Sequence, residues 1–199
     1  MNWAYWRPVL IWTIAWGVTG VALYISGVFN SPRTGPLWVA LIGGAISWSI
    51  AGASTFSRQW DLTNLVIWAL AYLASFALAG SVLSSSALGD TIIGLMIMFI
   101  GWSAGAAFGA FASTWLISTH SKLRRSSIVA GTWILGFFVG SFISFMVAFL
   151  AAELSKIFIG FLIGVPAALI LGFGLGCALG GLVASAIAVS ATRVVTRFL

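Results

Sequence analysis

Six long apolar stretches dominate this 199-residue chain. A helix needs about 20 apolar residues to cross the hydrocarbon core of a bilayer, and each stretch is that long or longer. Only 6% of the residues are charged and 61% are hydrophobic, against roughly 25% and 45–50% in soluble domains. This composition excludes a water-soluble globule and a disordered chain. We predict an all-α integral membrane protein with one polytopic domain over residues 1–199.

The breaks between the stretches contain nearly all the charged and turn-forming residues. Because the breaks are short, we expect the helices to form three antiparallel hairpins, over about 8–56, 62–118 and 128–191. The fifth break is placed at Glu153–Lys156, and the last stretch is too long for one perpendicular span, so it must tilt, kink near Pro166 or continue past the membrane surface. The six predicted spans are 8–29, 35–56, 62–83, 91–118, 128–152 and 157–191.

The basic residues predict the orientation of the helices. Seven of the nine lie at the two termini or in the second and fourth breaks, so the positive-inside rule places both termini in the cytoplasm. We expect the first stretch to remain as a span, because it is longer than the apolar region of a signal peptide and lacks a cleavage site. The location predicted from these features is a bacterial plasma membrane.

The charge of +6 does not indicate nucleic-acid binding, because the basic residues are spread over the ends of the apolar stretches. The densest group is Lys122, Arg124 and Arg125. We interpret it as a cytoplasmic surface that marks topology and contacts anionic lipid, with an acidic protein partner as the alternative.

Two short patterns predict an internal threefold repeat. The odd helices share a tryptophan followed by a small residue at +3 and an aromatic residue at +4, beginning at Trp12, Trp68 and Trp133. The even helices have small residues at every fourth position, a glycine-zipper pattern. Trp12 is paired in this alignment with Gly43, Trp68 with Gly101, and Trp133 with Gly172.

Small residues four apart lie on one helical face, where they let helix backbones approach closely within a bilayer. We therefore predict helix packing through these faces, with a groove for a lipid tail, carotenoid or quinone as the alternative. The glycines assigned to this role are Gly43, Gly101, Gly105, Gly109, Gly172, Gly176 and Gly180.

The chemistry that most membrane enzymes and pumps need is missing from the predicted spans. All acidic, basic and histidine side chains lie at or near span ends, whereas ion paths and proton relays use ionisable groups within the membrane. The chain has one cysteine, Cys177, and one histidine, His120. An internal disulfide and a two-histidine metal site are therefore excluded. His120 could ligate a haem or chlorophyll metal, but it is more simply a solvated loop residue. We predict that the protein is not an enzyme.

The tryptophans offer the clearest candidates for a ligand site. Trp12, Trp68 and Trp133 each lie five or six residues into an odd helix, at a depth of roughly 8 Å. Indole rings at one depth could flank a planar ligand, or they could fill the space opposite the glycines. Trp48 and Trp102 lie deeper and are open to both interpretations.

We predict a non-catalytic membrane subunit or scaffold. It would pack in a larger, possibly energy-transducing membrane assembly, with itself or other subunits, and bind lipid or a hydrophobic cofactor of unknown identity. The alternative is a facilitator or substrate-binding subunit for a small apolar solute, held in a central cavity lined by Trp12, Trp68 and Trp133.

Overall fold

The computed structural model describes residues 3–27, 36–56, 61–84, 92–118 and 122–198. These residues form six α-helices and contain no strand. All six helices are long and apolar enough to cross a membrane, which fits a membrane-embedded protein. The helices are α1 (Trp3–Ile25), α2 (Leu37–Phe56), α3 (Leu62–Ser84), α4 (Ile92–Ile117), α5 (Lys122–Ile163) and α6 (Val165–Phe198).

The predicted break at residues 153–156 is wrong. Glu153 and Lys156 lie within α5, which continues for 42 residues, and their side chains form an exposed 3.2 Å ion pair one helical turn apart. Such a pair is compatible with a helix, because side chains three apart lie on the same face. Charged residues therefore do not interrupt the helix here.

The helix ends instead at Gly164, whose φ of 86° lies in the left-handed region that favours glycine. Pro166 follows in the first turn of α6, where its missing N–H removes no intrahelical hydrogen bond. The start of α5 also differs from the prediction. Lys122, Arg124 and Arg125 lie in its first turn rather than in a loop.

The six helices close a ring. Each helix packs against the next along the chain, and α6 packs against α1. α5 and α6 run antiparallel: residues early in α5 contact residues late in α6, and residues late in α5 contact residues early in α6. A Cβ added at Gly140 would meet Ala184, and one added at Gly172 would meet the backbone of Ala152.

α5 and α6 extend beyond the end of α1. Tyr24 in the last turn of α1 contacts Phe173, with 5.3 Å between ring centroids, and the neighbouring Gly172 lies against Ala152. Residues 153–163 continue for roughly 16 Å past this level at 1.5 Å per residue. We call residues 153–171 the α5–α6 arm. Its outer part exposes large apolar side chains, of which Phe161 is 79% exposed.

Candidate functional site

Three tryptophans meet at the centre of the ring, one from each odd helix. Trp12, Trp68 and Trp133 are completely buried, and their ring centroids lie 5.0–5.3 Å apart in all three pairs. These separations are typical of packed aromatic rings. We call the three residues the tryptophan core.

Each indole of the tryptophan core donates its N–H to a hydroxyl group on the following even helix. Trp12 Nε1 donates to Thr55 Oγ1 at 3.0 Å, and Trp68 Nε1 donates to Ser113 Oγ at 3.1 Å. Trp133 Nε1 donates to Thr192 Oγ1 at 2.9 Å. All three buried N–H groups are therefore satisfied within the protein, as buried donors require, and none is left for a ligand.

Further rings cover the tryptophan core on two sides. Trp48 and Phe137 pack against Trp12 and against each other, at centroid distances of 5.3–5.7 Å. Phe56 packs against Trp68 and Trp133 at 5.8 Å and 5.6 Å. The centre of the six-helix bundle is thus filled by aromatic side chains, and no space for a ligand is left between the three tryptophans.

Glycines make this packing possible on both sides of Trp68. A Cβ at Gly52 would overlap the indole ring, and one at Gly109 would lie 2.9 Å from Trp68 Cε3. Gly181 of α6 accommodates Trp16 in the same way, and Gly44 accommodates Tyr72. The hydroxyl of Tyr72 donates a 2.6 Å hydrogen bond to the Ala40 carbonyl oxygen.

The glycines singled out in the sequence fall into two groups. Added Cβ atoms at Gly43 and Gly101 would meet no atom closer than 3.2 Å, the nearest being Ala22 Cβ at 3.2 Å and Leu78 Cβ at 3.3 Å. The other glycines are in closer contact, and a Cβ would meet backbone or side-chain atoms of the neighbouring helix at or below about 3 Å. They are Gly105, Gly109, Gly172, Gly176 and Gly180.

A cavity of about 70 Å³ lies directly beyond the aromatic cover, on the side away from the basic helix ends. Trp48 and Trp102 line it, whereas Trp12, Trp68 and Trp133 do not. The described residues that form its walls come from every helix except α3. The lining residues are Trp16, Thr19, Gly20, Leu23, Trp48, Met98, Phe99, Trp102, Ser141, Ser144, Phe145, Phe173 and Cys177.

The described lining of the cavity carries no charge. It is apolar apart from a few hydroxyl, indole and thiol groups. The Ser47 hydroxyl donates to the Gly44 carbonyl at 3.0 Å, so the 3.0 Å contact between Thr19 and Ser47 uses the Thr19 proton. Ser144 donates to the Cys177 carbonyl at 3.3 Å. The hydroxyl protons of Thr19 and Ser144 are therefore occupied.

Two buried polar groups at the cavity have no hydrogen-bond partner among the described residues. They are the indole N–H of Trp16 and the hydroxyl of Ser141, which belong to residues only 9% and 6% exposed. A buried polar group without a partner costs about 1–3 kcal/mol. An additional group that could pair with them would therefore be bound favourably.

The basic group lies at the far end of the bundle from the α5–α6 arm. Lys122 and Arg124 are exposed, and Lys122 Nζ lies 6.0 Å from the centroid of the Trp115 ring. Arg193 lies over Tyr5 at the same end, 5.2 Å from the ring centroid. Arg125 is half-buried. His120 lies outside the described residues, so the structure does not bear on its two interpretations.

The sequence patterns missed several residues that hold this site together. Thr55 and Ser113 belong to the small-residue pattern, but their role as acceptors of tryptophan N–H groups was not foreseen. Thr192 was missed entirely, although it continues the four-residue spacing one step past Ala188. The similar spacings of 43 residues from Trp12 to Thr55 and 45 residues from Trp68 to Ser113 could have found two of them. The 59 residues between Trp133 and Thr192 do not match, so only the four-residue spacing on α6 points to Thr192.

No protein-family model, curated protein or solved structure was found to match this chain. Among the described residues no group of three or more histidine, cysteine or acidic side chains is placed to hold a metal ion. The chain is thus defined by its six membrane-length helices, its tryptophan core and the adjacent cavity.

Proposed function

We propose that this protein is a non-catalytic integral membrane subunit or scaffold that binds one small hydrophobic ligand, lipid or cofactor in the cavity beside its tryptophan core. The observation that carries the proposal is the combination of an aromatic, uncharged cavity with a filled centre. Apolar and aromatic walls with few polar groups are typical of small-molecule sites. A rigid core beneath the cavity keeps its shape without the ligand.

The repeat is the second part of the proposal: three copies of a helical hairpin, each with one core tryptophan. Three matching pairs of positions support it. Thr19 bonds to Ser47, a Cβ at Gly105 would meet Ser75, and a Cβ at Gly140 would meet Ala184. Each odd-helix member lies seven residues after its tryptophan, and each even-helix member lies eight residues before the hydroxyl acceptor.

This register changes the alignment of the third unit. Gly43 and Gly101 each precede the hydroxyl acceptor of their unit by twelve residues, and the residue that does so before Thr192 is Gly180 rather than Gly172. Trp133 and Thr192 are 59 residues apart, against 45 for Trp68 and Ser113. We assign the additional length to the α5–α6 arm.

The orientation and the contacts outside the bundle follow from the charges. With both termini in the cytoplasm, Lys122 and Arg124 would contact anionic head groups and the arm would lie on the outer side. The apolar side chains of the arm, beyond the Glu153–Lys156 ion pair, support a role in a larger membrane assembly. Exposed apolar surface outside a bilayer commonly marks a contact with protein or membrane.

The ligand proposal is tested by native mass spectrometry of protein extracted in mild detergent. Leu23 lines the cavity, so Leu23→Trp would fill part of it. Val18 lies on the same helix but is exposed on its outer face, and Val18→Trp is the matched control. We expect a bound hydrophobic molecule with the wild type and Val18→Trp and its loss with Leu23→Trp. An unliganded wild type, or equal retention by both variants, would refute the site.

The second candidate is a facilitator or binding subunit for a small apolar solute. It is favoured by the closed ring of six helices with a cavity beside the aromatic centre of the bundle. Conduction would require the tryptophan core to open, because its rings leave no path between them. Reconstituted vesicles test this function by solute flux, which must exceed that of protein-free vesicles and increase in Trp48→Ala.

A further inference from the structure

The two unpartnered groups at the cavity restrict the chemistry of its ligand, and this inference rests on the proposed function. A tryptophan N–H can only donate a hydrogen bond, and the Ser141 hydroxyl has a free proton. Both protons call for an acceptor atom on the ligand. We propose that the cavity binds a neutral, hydrophobic carbonyl compound whose oxygen accepts hydrogen bonds from Trp16 Nε1 and Ser141 Oγ.

Trp16 and Ser141 both line the same cavity. The Trp16 ring packs on Phe137 at 5.3 Å between centroids, and Phe137 lies one helical turn before Ser141 on α5. Ser141 is therefore on the face of α5 toward α1 that also forms the cavity wall. Its hydroxyl needs only a rotation about χ1 to change its direction.

The ligand must be neutral because no carboxylate, ammonium, guanidinium or imidazole group lines the cavity among the described residues. A charged ligand would remain unpaired in an apolar environment, at a cost of many kcal/mol. It must also be small where it enters, since about 70 Å³ is roughly half of the volume of a cavity that holds benzene, and accommodates a carbonyl group with a short chain rather than a whole lipid. A ring or a longer apolar tail attached to the carbonyl group would have to extend beyond the cavity.

The other two hydroxyl side chains at the cavity, Thr19 and Ser144, do not compete for this role, because their protons are occupied. Ser144 has the same hydroxyl and lies one turn from Ser141, but its proton is bound to the Cys177 carbonyl. Ser144→Ala is therefore a matched control for Ser141→Ala. Trp16→Phe removes the N–H group and keeps an aromatic ring over Gly181.

The test compares two probes of nearly the same shape, acetophenone and α-methylstyrene, which differ only in a C=O or C=CH₂ group. Dissociation constants are measured in nanodiscs, together with the ¹⁵N–¹H indole resonance of Trp16. We expect acetophenone to bind about thirtyfold more tightly, the value of two additional neutral hydrogen bonds, and to shift that resonance. Trp16→Phe and Ser141→Ala should each bring the ratio toward one, and Ser144→Ala should preserve it.

The outcomes separate this inference from the proposed function. Equal binding of the two probes to the wild type would overturn the carbonyl proposal while leaving the cavity as a hydrophobic site. A ratio unchanged in Trp16→Phe and Ser141→Ala would overturn it as well. Binding of neither probe would overturn both proposals. Circular dichroism and tryptophan fluorescence of each variant confirm that the comparison is made on folded protein.

Discussion

Trp133 donates its indole proton to Thr192 across 2.9 Å, although 59 residues separate the two along the chain. Thr192 in turn donates its hydroxyl proton to the Ala188 carbonyl oxygen at 2.8 Å. The threonine hydroxyl thus joins the tryptophan core to the backbone of α6. Because both groups are buried, neither can be compensated by water when its partner is removed.

We expect Thr192→Val to destabilise the protein by about 1–3 kcal/mol, since it leaves a buried indole N–H without an acceptor while keeping the shape of the side chain. The control is Thr13→Val, because Thr13 donates only to the Val9 carbonyl of its own helix. Reversible unfolding in mixed micelles with a denaturing detergent measures both. Equal stability of the two variants would contradict this role of Thr192.

The proposed repeat predicts equivalent losses at the other two acceptors. Thr55→Val and Ser113→Ala should each destabilise the protein by about the same 1–3 kcal/mol as Thr192→Val. Each substitution leaves one indole N–H of the tryptophan core without a hydrogen-bond acceptor. The unfolding assay is combined with indole ¹⁵N–¹H spectra, in which only the tryptophan bonded to the altered residue should shift strongly. A shift of an unrelated tryptophan in place of its partner would argue against the threefold register.

Gly176→Ala should separate α5 from α6. A Cβ at this position would overlap the backbone of Ala148, and a backbone cannot move aside as a side chain can. Overpacking of this kind costs about 1–3 kcal/mol. Gly131→Ala on α5 is the control, since a Cβ there meets no atom within 4 Å and alanine favours the helix by up to about 1 kcal/mol.

The unfolding free energies of these two variants should therefore move in opposite directions. If Gly176→Ala were as stable as the wild type, the close contact between α5 and α6 would not exist in the membrane. A strong loss in Gly131→Ala would show that glycine is needed there for a reason other than helix packing.

Shortening the α5–α6 arm should leave the bundle intact. Removing residues 153–159 and 165–171 deletes seven residues from each helix, close to two turns of 3.6 residues, so the facing sides are retained. We expect a melting temperature within about 4 °C of the wild type, equivalent to about 1 kcal/mol for a chain of this length. The same-sized deletion of 144–150 and 174–180, which removes Gly176 and Gly180, should abolish folding.

Shortening also tests the assignment of the arm to assembly contacts. The shortened protein should keep its cavity ligand but lose any partner that co-purifies with the full chain in mild detergent. A shortened protein that no longer folds would place the arm within the structural core and refute its assignment as an addition to the third unit.

The six helices were predictable because apolar length alone determines what can span a bilayer. The prediction failed at residues 153–156 because it treated charged residues as a break, whereas Glu153 and Lys156 pair on one helix face. The better signal was Gly164 followed by Pro166, a glycine after the helix end and a proline in the next first turn.

The site was only partly predictable for a different physical reason. Periodicity marks which residues share a face of one helix, but whether three faces meet depends on the rotation of each helix in the ring. Trp12, Trp68 and Trp133 were therefore identified without their contacts, and the cavity was expected between them. It lies beside them instead, since mutual packing of the three indoles fills the centre. No sequence pattern indicated that Trp16 and Ser141 line the cavity with unpartnered polar groups.

The most direct test of the account is ¹⁹F NMR of protein labelled with 5-fluorotryptophan and titrated with acetophenone. The resonance of Trp102, which lines the cavity, should shift with the ligand, and the resonance of Trp68 in the tryptophan core should remain where it is. Assignment uses Trp102→Phe and Trp68→Phe. A ligand-dependent shift of Trp68 with none at Trp102 would place the ligand within the tryptophan core and contradict the account.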